Sequence, residues 1–318
     1  MSDNTLHSGY SPAPRAHLIS DLVKGKLTPA PIWKEVDYRL KFLLRTVIFY
    51  SATRRMLDSL GKRQDFMQLL KAQVTLPSKT HRQYLARGLS STQRADAIVG
   101  HYEFIDSVQS PALVTALTAT EPTELLKLEG KDGAEFTLYA SCAHKAEREG
   151  ESTVWFCDAQ NTVLASATFC ITRSSKGWEL VVGGLQGPRR GVSHEVIKLA
   201  TRACYGVFPK RILVEFFGLL ASQCGITTLS GVSDNGHVFR ALRYRFSKGR
   251  HFHASYDEFW ASIDGVKRNA FRWELPVQQE RKSLEEIASK KRAEYRRRFA
   301  LLDDMAVQFA ALFPASDK

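Results

Sequence analysis

The spacing of apolar residues predicts helices from about residue 18 to residue 120, after a short polar start. Between Pro31, where a helix begins, and Gly61, where one ends, apolar residues recur every three or four positions. We favour packing of this apolar face into the core, although a helix lying on an anionic membrane surface is the open alternative. Further helices are predicted at 63–73, 79–88 and 92–108, and residues 1–17 are predicted to be disordered. The apolar face comprises Trp33, Val36, Leu40, Leu43, Leu44 and Ile48, with Lys34, Lys41, Arg45, Arg54 and Arg55 as basic positions around it.

The period changes near residue 122, where β-branched and aromatic runs alternate with short turns. Lys131-Asp132-Gly133 predicts a hairpin, because an Asp-Gly turn supplies the positive φ that a tight connection needs. Consecutive strands joined by tight turns make an antiparallel meander. The predicted strands are Thr123–Glu129, Ala134–Cys142, Ser152–Cys157, Thr162–Arg173 and Gly177–Gly184.

After the meander the pattern predicts helices, one more strand and a long terminal helix. The order of elements indicates an α+β fold, which we divide into a helical region at 18–120, a mixed core at 121–275 and a basic C-terminal helix at 276–318. Ser283 with Glu286 three residues later predicts a capping box at the start of that last helix. The predicted elements are helices Ser193–Tyr205 and Pro209–Gln223, strand Thr227–Val232, helix His237–Tyr244 and helix Ser283–Phe313.

Composition and charge narrow the class of protein. The 318 residues carry a net charge of +12, which favours anionic partners such as nucleic acid, phosphorylated ligands or acidic membranes. Five cysteines without CxxC spacing argue against a disulfide framework or a zinc site, and the polar start contains no apolar signal core. Leu40–Tyr50, the most apolar stretch, is interrupted by charges and is shorter than the roughly 20 residues that span a bilayer. We therefore expect a cytoplasmic protein, with peripheral association at the inner membrane as an alternative.

The turn that follows the last meander strand is the first candidate site. Residues 186–191 read Gln-Gly-Pro-Arg-Arg-Gly and precede a helix whose free amides could stabilise a phosphate. Gln186, Gly187, Arg189, Arg190 and Gly191 are thus candidate ligands of a phosphate-containing donor. A tight connection with exposed arginines explains the same residues, and Pro188 removes one amide donor.

A second candidate is the turn Ser233–His237 at the end of the later strand. Asn235 and His237 are polar residues at a sheet edge, where binding groups concentrate, although an Asx turn that caps the next helix fits equally well. The basic residues that follow indicate either contact with nucleic acid or a solvated face. They are Arg240, Arg243, Arg245, Arg250, His251 and His253.

Glu179 is the candidate general base. It lies in strand WELVV between Trp178 and Leu180, so its side chain is on the opposite face of the strand from both. If that face lines a cleft, burial would raise the pKa of Glu179 and suit it to act as a base. If that face is the outer face of the sheet, Glu179 would only be a solvated surface residue. The nine histidines show no metal-binding spacing, and no GxSxG, Walker or GxGxxG motif occurs. The run Lys290–Arg298 is strongly basic, which favours either contact with tRNA or anionic lipid or a solvated helix.

Several boxes in order resemble the VirK/YbjX family of Gram-negative bacterial proteins. They are Leu185–Gly191 (LQGPRRG), Gly231–His237, Ser255–Trp260 (SYDEFW) and Ser289–Arg298 (SKKRAEYRRR). The resemblance covers most of the chain after about residue 30. It implies an association with virulence and with envelope resistance to cationic antimicrobial peptides, and it brings no catalytic residues.

The order of elements also resembles the GNAT acyltransferase fold, in which a meander leads into a pyrophosphate loop. The family's Q/R-x-x-G-x-G/A pattern is matched by Gln186 and Gly191, with Gly187 displaced and Pro188 inserted. Its later Asn, Tyr and Gly-Phe positions are echoed by Asn235, Tyr244 and Phe246. This resemblance implies an acyl-CoA or similar donor. The leading hypothesis is an acyl- or aminoacyl-transferase with Glu179 as base and with Asn235 and His237 orienting the nucleophile, and the alternative is a non-catalytic adaptor for anionic lipid or nucleic acid.

Overall fold

The computed structural model describes residues 17–189, 191–240 and 255–314. Its N-terminal third is helical, as the periodicity predicts, with additional 3₁₀ turns at Pro31–Lys34 and Leu76–His81. Helix α5 begins with a complete capping box in which Ser90 and Gln93 satisfy each other's backbone amides. The helices of this region are α1 Leu18–Lys24, α2 Val36–Ile48, α3 Tyr50–Leu60, α4 Phe66–Ala72, α5 Ser91–Ser107 and α6 Pro111–Thr118.

The predicted meander is confirmed and forms most of one mixed sheet. Strands β1 to β5 pair antiparallel in sequence order, and Asp132 and Gly133 both have the positive φ that the first hairpin needs. Strand β6 then pairs parallel to β5, and the sheet continues through β8 to β7. The strands are β1 Thr123–Glu129, β2 Glu135–Cys142, β3 Ser152–Asp158, β4 Val163–Ser174, β5 Gly177–Gln186, β6 Ile226–Val232, β7 Val266–Lys267 and β8 Arg272–Leu275.

Helices cover both faces of this sheet. One face packs on α3 and α5, where Cys170 and Val181 join the apolar core of the N-terminal helices. The opposite face, with Phe169 and Leu180, packs on the helices that follow β5 and on the C-terminal helix. These are α7 His194–Ala203, α8 Pro209–Cys224, α9 Tyr256–Ala261 and α10 Ser289–Ala310. The α+β class and the C-terminal helix are therefore confirmed, whereas the division into domains stays a prediction.

Three predicted helices differ from the observed ones. The segment 31–60 is broken at Phe49, where the backbone leaves helical geometry. The Phe49 ring stacks on the His81 ring with centroids 5.9 Å apart. Residues 82–88 are not helical, because the amides of Leu85 and Arg87 donate to carbonyls of distant loops. In the predicted capping box the Ser283 amide does donate to Glu286 at 2.7 Å, but the helix begins only at Ser289.

Some sequence predictions cannot be compared with the structure. Residues 1–16, Arg190 and 241–254 lie outside the described residues, and with them lie Arg243, Tyr244, Arg245, Phe246, Arg250, His251 and His253. Among the helices that the structure describes, none combines the length and the apolar composition needed to cross a bilayer.

Candidate functional site

The candidate site lies where β5 and β6 part. The two parallel strands pair as far as Val182 and Gly231, after which β5 continues to Gln186 on β4 alone. A bulge at Gly183 interrupts the β4 pairing at this point. A gap between the carboxyl ends of parallel strands is a common location for ligand sites in α/β sheets.

A buried carboxylate and a buried imidazole meet at this gap. Nε2 of His237 lies 3.2 Å from Oε1 of Glu149, and both side chains are almost fully buried. The Phe239 amide donates to Nδ1 of His237 at 3.3 Å, which places the ring proton on Nε2. The other Glu149 oxygen lies 3.4 Å from the side-chain amide of Gln186, which is exposed. The carboxylate thus lies between the buried ring of His237 and the exposed side chain of Gln186.

Two glycines of β5 make room for this carboxylate. A Cβ on Gly184 would lie 2.0 Å from Oε2 of Glu149, and one on Gly183 would lie 2.0 Å from the Glu149 carbonyl oxygen. Any side chain at either position would therefore displace the loop before β3 that carries Glu149. The GG pair in the strand VVGGLQ is thus explained by the close approach of this loop.

Aromatic side chains of α9 fill the remainder of the gap. The Tyr256 ring stacks on His237 with centroids 5.5 Å apart and on Trp260 at 6.3 Å. The hydroxyl oxygen of Tyr256 accepts the Leu185 amide at 3.1 Å, so the free edge of β5 is satisfied by a side chain. Burial raises the pKa of Tyr256 well above its usual value.

The turn after β5 adds positive charge beside Gln186. Arg189 is exposed, and Gly191 has a φ of +101°, a left-handed conformation that suits glycine. A Cβ on Gly187 would contact the Lys210 side chain at 4.0 Å, so Lys210, in the first turn of α8, flanks the turn. Burial lowers the pKa of Lys210. The turn is therefore flanked by two cationic side chains, of which sequence reasoning identified only Arg189.

A second buried polar cluster lies nearby, centred on Glu151. Its carboxylate accepts from Lys79 at 2.6 Å, Tyr84 at 2.7 Å, Tyr102 at 2.9 Å and Gln73 at 3.0 Å. The partners come from the residue that caps the end of α4, the 3₁₀ turn that follows it, the segment after that turn and α5. The cluster fixes the N-terminal helices to the loop before β3, the same loop that carries Glu149.

Comparison with known proteins supplies the family. Residues 31–311 match the family described as "Protein of unknown function (DUF535)". This chain belongs to the DUF535 family. It is 37% identical over 296 residues to "Uncharacterized protein YbjX" of Escherichia coli, covering 93% of this chain and 89% of that protein. An uncharacterized Haemophilus influenzae protein is 26% identical over 89% of this chain and 92% of its own length.

A more distant relative carries a descriptive name. "Membrane protein LapB" of Mannheimia haemolytica is 20% identical over 61% of this chain and 82% of its own length. No solved structure matches the chain.

The structure places the sequence-predicted residues of this DUF535 protein in two groups. His237 and Gln186 lie on either side of Glu149. Glu179 lies at the other end of β5, roughly 20 Å from Gln186 at the usual rise of a strand. There the Glu179 carboxylate accepts a hydrogen bond from Ser230 at 2.5 Å and forms an ion pair with Arg272 at 3.0 Å, so a guanidinium already balances its charge. The structure therefore does not bring Glu179 and the glycine turn together, and the role of Glu179 as a base stays a prediction.

The turn Ser233–His237 is ordered by its own hydrogen bonds. The Gly236 amide donates to the Ser233 hydroxyl at 2.9 Å, and the Tyr256 amide donates to the Asp234 carboxylate at 2.8 Å. Asn235 is exposed at the tip of the turn. The polar turn thus serves to join β6 to the start of α9 and to direct His237 inward.

Sequence reasoning missed Glu149, Glu151, Lys79 and Lys210. Glu149 and Glu151 occur in the charged stretch HKAEREGES, which reads as a solvated loop and gives no sign that two of its carboxylates are buried. The GG pair in β5 is the one local feature that indicated a close approach to the strand. Within the described residues, no group of three His, Cys, Asp or Glu side chains is placed to hold a metal ion.

Proposed function

We propose that this protein transfers an acyl or aminoacyl group from a phosphate-containing donor at the gap between β5 and β6. The observation that carries the proposal is the buried Glu149–His237 pair at the end of β5, beside a turn flanked by Arg189 and Lys210. The local geometry also agrees with the GNAT-like order of elements. Strand β5 is bulged, it separates from its parallel neighbour β6, and it leads through a turn into α7.

The residues beside the gap suit an anionic donor. Arg189, Lys210 and the backbone amides at the start of α7 would hold its phosphate groups, since Ser193 makes no side-chain cap on that first turn. A donor such as acyl-CoA would supply the activated acyl group. A donor chain lying along β5 would compete with the Tyr256 hydroxyl for the Leu185 amide.

Glu149 takes the role of base in this proposal. The acceptor's amine or hydroxyl forms a bond to the acyl carbon, the bond to the donor's sulfur or oxygen breaks, and Glu149 takes the acceptor proton. His237, with its proton on Nε2, holds the carboxylate in place and is a positioning residue. We assign this role to Glu149 rather than to Glu179 because the carboxylate of Glu179 is already bonded to Arg272 and Ser230.

The test compares the same substitution at three glutamates. Donor turnover is followed as thiol release from acetyl-CoA and long-chain acyl-CoA, and as acyl or aminoacyl transfer from acyl carrier protein and aminoacyl-tRNA. Glu149→Gln should lower turnover about 100-fold or more, the usual contribution of a general base. Glu147→Gln, in the same loop but bonded to Thr75, and Glu179→Gln should change it less than severalfold.

Turnover and melting temperature of His237 variants show whether His237 positions Glu149 or only stabilises the fold. His237→Gln keeps an amide donor toward Glu149 and should retain more turnover than His237→Ala at an equal melting temperature. Equal turnover in Glu149→Gln and wild type, with both folded, would refute the base. No turnover and no thermal stabilisation of the wild type by any of the four donors would refute the transferase.

A second candidate function is a non-catalytic adaptor for polyanions, and a basic cavity favours it. The cavity of about 670 Å³ lies between α7 and α10 and has Lys131, Lys198, Arg202 and Arg297 in its wall against one acid, Glu294. Either function is consistent with work on the envelope from the cytoplasm or the inner membrane surface, which we propose as the location. The name of the Mannheimia haemolytica relative supports a membrane association.

A further inference from the structure

The outer face of α2 is an apolar surface in contact with solvent. Among the described residues, eight of the twelve exposed large apolar side chains fall between Ile32 and Tyr50. Val36 is 69% exposed, Val47 70% and Ile48 72%. We define the outer face as Val36, Leu40, Leu43, Leu44, Val47 and Ile48. Its exposure contradicts the expectation that this apolar stripe packs into the core.

The face is opposite to the side by which α2 is fixed. At the turn of about 100° per residue, the centre of the outer face lies roughly half a turn from the buried Phe42 and Thr46. Phe42 packs edge-on against Trp33, whose indole donates to the Val74 carbonyl at 2.8 Å. Rolling the helix to bury its outer face would expose Phe42, so the apolar surface is a fixed feature of the fold.

Basic side chains outnumber acidic ones along the segment that carries the outer face. Residues 31–60 contain six basic and three acidic side chains, and Arg54 pairs with Asp58 at 3.2 Å and Arg55 with Asp96 at 2.8 Å. Lys41 and Asp37 pair at 3.3 Å on the surface of α2, and both are well exposed. Such exposed pairs contribute little to stability, so the pair is free to rearrange beside an anionic surface. The net charge next to the outer face therefore remains positive.

We propose that the outer face of α2 docks in the plane of an anionic lipid bilayer. The face is an exposed aliphatic stripe of Val, Leu and Ile, and Leu43 at its edge also lines a cavity of about 460 Å³ against α1. An apolar stripe on a helix with an excess of basic residues is the arrangement by which amphipathic helices insert at the headgroup level. The charge excess selects anionic over neutral lipid.

Flotation of the full chain with lipid vesicles tests the proposal. The wild type should float with phosphatidylcholine vesicles that contain about one quarter phosphatidylglycerol, and far less with phosphatidylcholine alone. Leu44→Glu with Val47→Glu should reduce the bound fraction about tenfold or more, at an unchanged melting temperature. Leu199→Glu, a change at an exposed leucine of α7, is the matched control and should bind as the wild type does.

Two results would overturn the proposal. One is wild-type protein that stays unbound on the anionic vesicles, or a Leu44→Glu, Val47→Glu variant that floats equally well. The other is a wild type that forms a dimer in light scattering, fails to float, and becomes monomeric in the double variant, since the occupant would then be a second copy. Lys34→Glu with Lys41→Glu should weaken flotation and reduce its sensitivity to salt.

Discussion

Buried histidines show how single residues join the layers of this molecule. The Ile171 amide donates to Nδ1 of His101 at 3.1 Å, and Nε2 of His101 lies 3.1 Å from the hydroxyl of Ser152. That hydroxyl donates in turn to the Leu117 carbonyl at 2.9 Å. One neutral imidazole thus connects α5, β4, β3 and α6. Burial lowers the pKa of His101 to about 4, and burial with nearby arginines lowers the pKa of His81 to about 4.

These histidines predict a loss of stability in mild acid. The folded pKa lies below the unfolded value of 6.5, so between pH 6.5 and about 4 the unfolded state binds more protons. The free energy of unfolding should therefore be constant above pH 6.5 from this cause and fall as the pH drops toward 4. Urea unfolding near neutral pH and near pH 5 measures it. His101→Gln should have a lower free energy of unfolding near neutral pH, but that free energy should fall less between pH 7 and pH 5 than in the wild type. If the variant and the wild type lost the same amount between the two pH values, His101 would not be a source of the acid sensitivity.

The buried pair Lys79–Glu151 gives a second prediction at the residue scale. Glu151→Gln preserves shape but leaves the buried Lys79 ammonium without its counter-charge, which should cost about 3 to 5 kcal/mol of unfolding free energy. Lys79→Met in the Glu151→Gln background removes the uncompensated charge and should recover part of that loss. Chemical denaturation of the two single variants and the double variant provides the cycle, and additive losses would show that the pair is not coupled.

At the scale of elements, the spacing of apolar residues and the turn residues predicted most strands. They failed where contacts between residues far apart in sequence determine the local structure. β1 to β6 were predicted within a residue or two, because alternation and turn residues such as Asp132-Gly133 act locally. The helix at 79–88 was wrong because Leu85 and Arg87 bond to loops far away in sequence. The buried roles of Glu149 and Glu151 depend on the same kind of contact, and a charged stretch cannot reveal it. Gln186 and His237 were identified, but their shared partner was not.

At the scale of the whole molecule, the sheet separates the apolar outer face of α2 from the basic cavity between α7 and α10. The outer face of α2 belongs to the layer packed on Cys170 and Val181, whereas α7, α8 and α10 cover the opposite face. The cavity between α7 and α10 therefore lies in a different layer from α2. A chain docked on lipid would keep that cavity and the exposed Arg296 and Arg297 open to another polyanion.

This separation predicts that lipid and polyanion binding can be removed independently. Lys198→Glu, Arg202→Glu and Arg297→Glu together replace three cations of the cavity wall and should lower retention on heparin and the affinity for tRNA. The same triple variant should float with anionic vesicles as the wild type does, because its changes lie on the other face of the sheet. Leu44→Glu with Val47→Glu should show the reverse pattern. Each of the three substitutions lowers the net charge of the chain, which is +12, by two units. A triple variant that lost both lipid and polyanion binding while keeping its melting temperature would therefore mean that net charge, rather than two separate surfaces, governs binding.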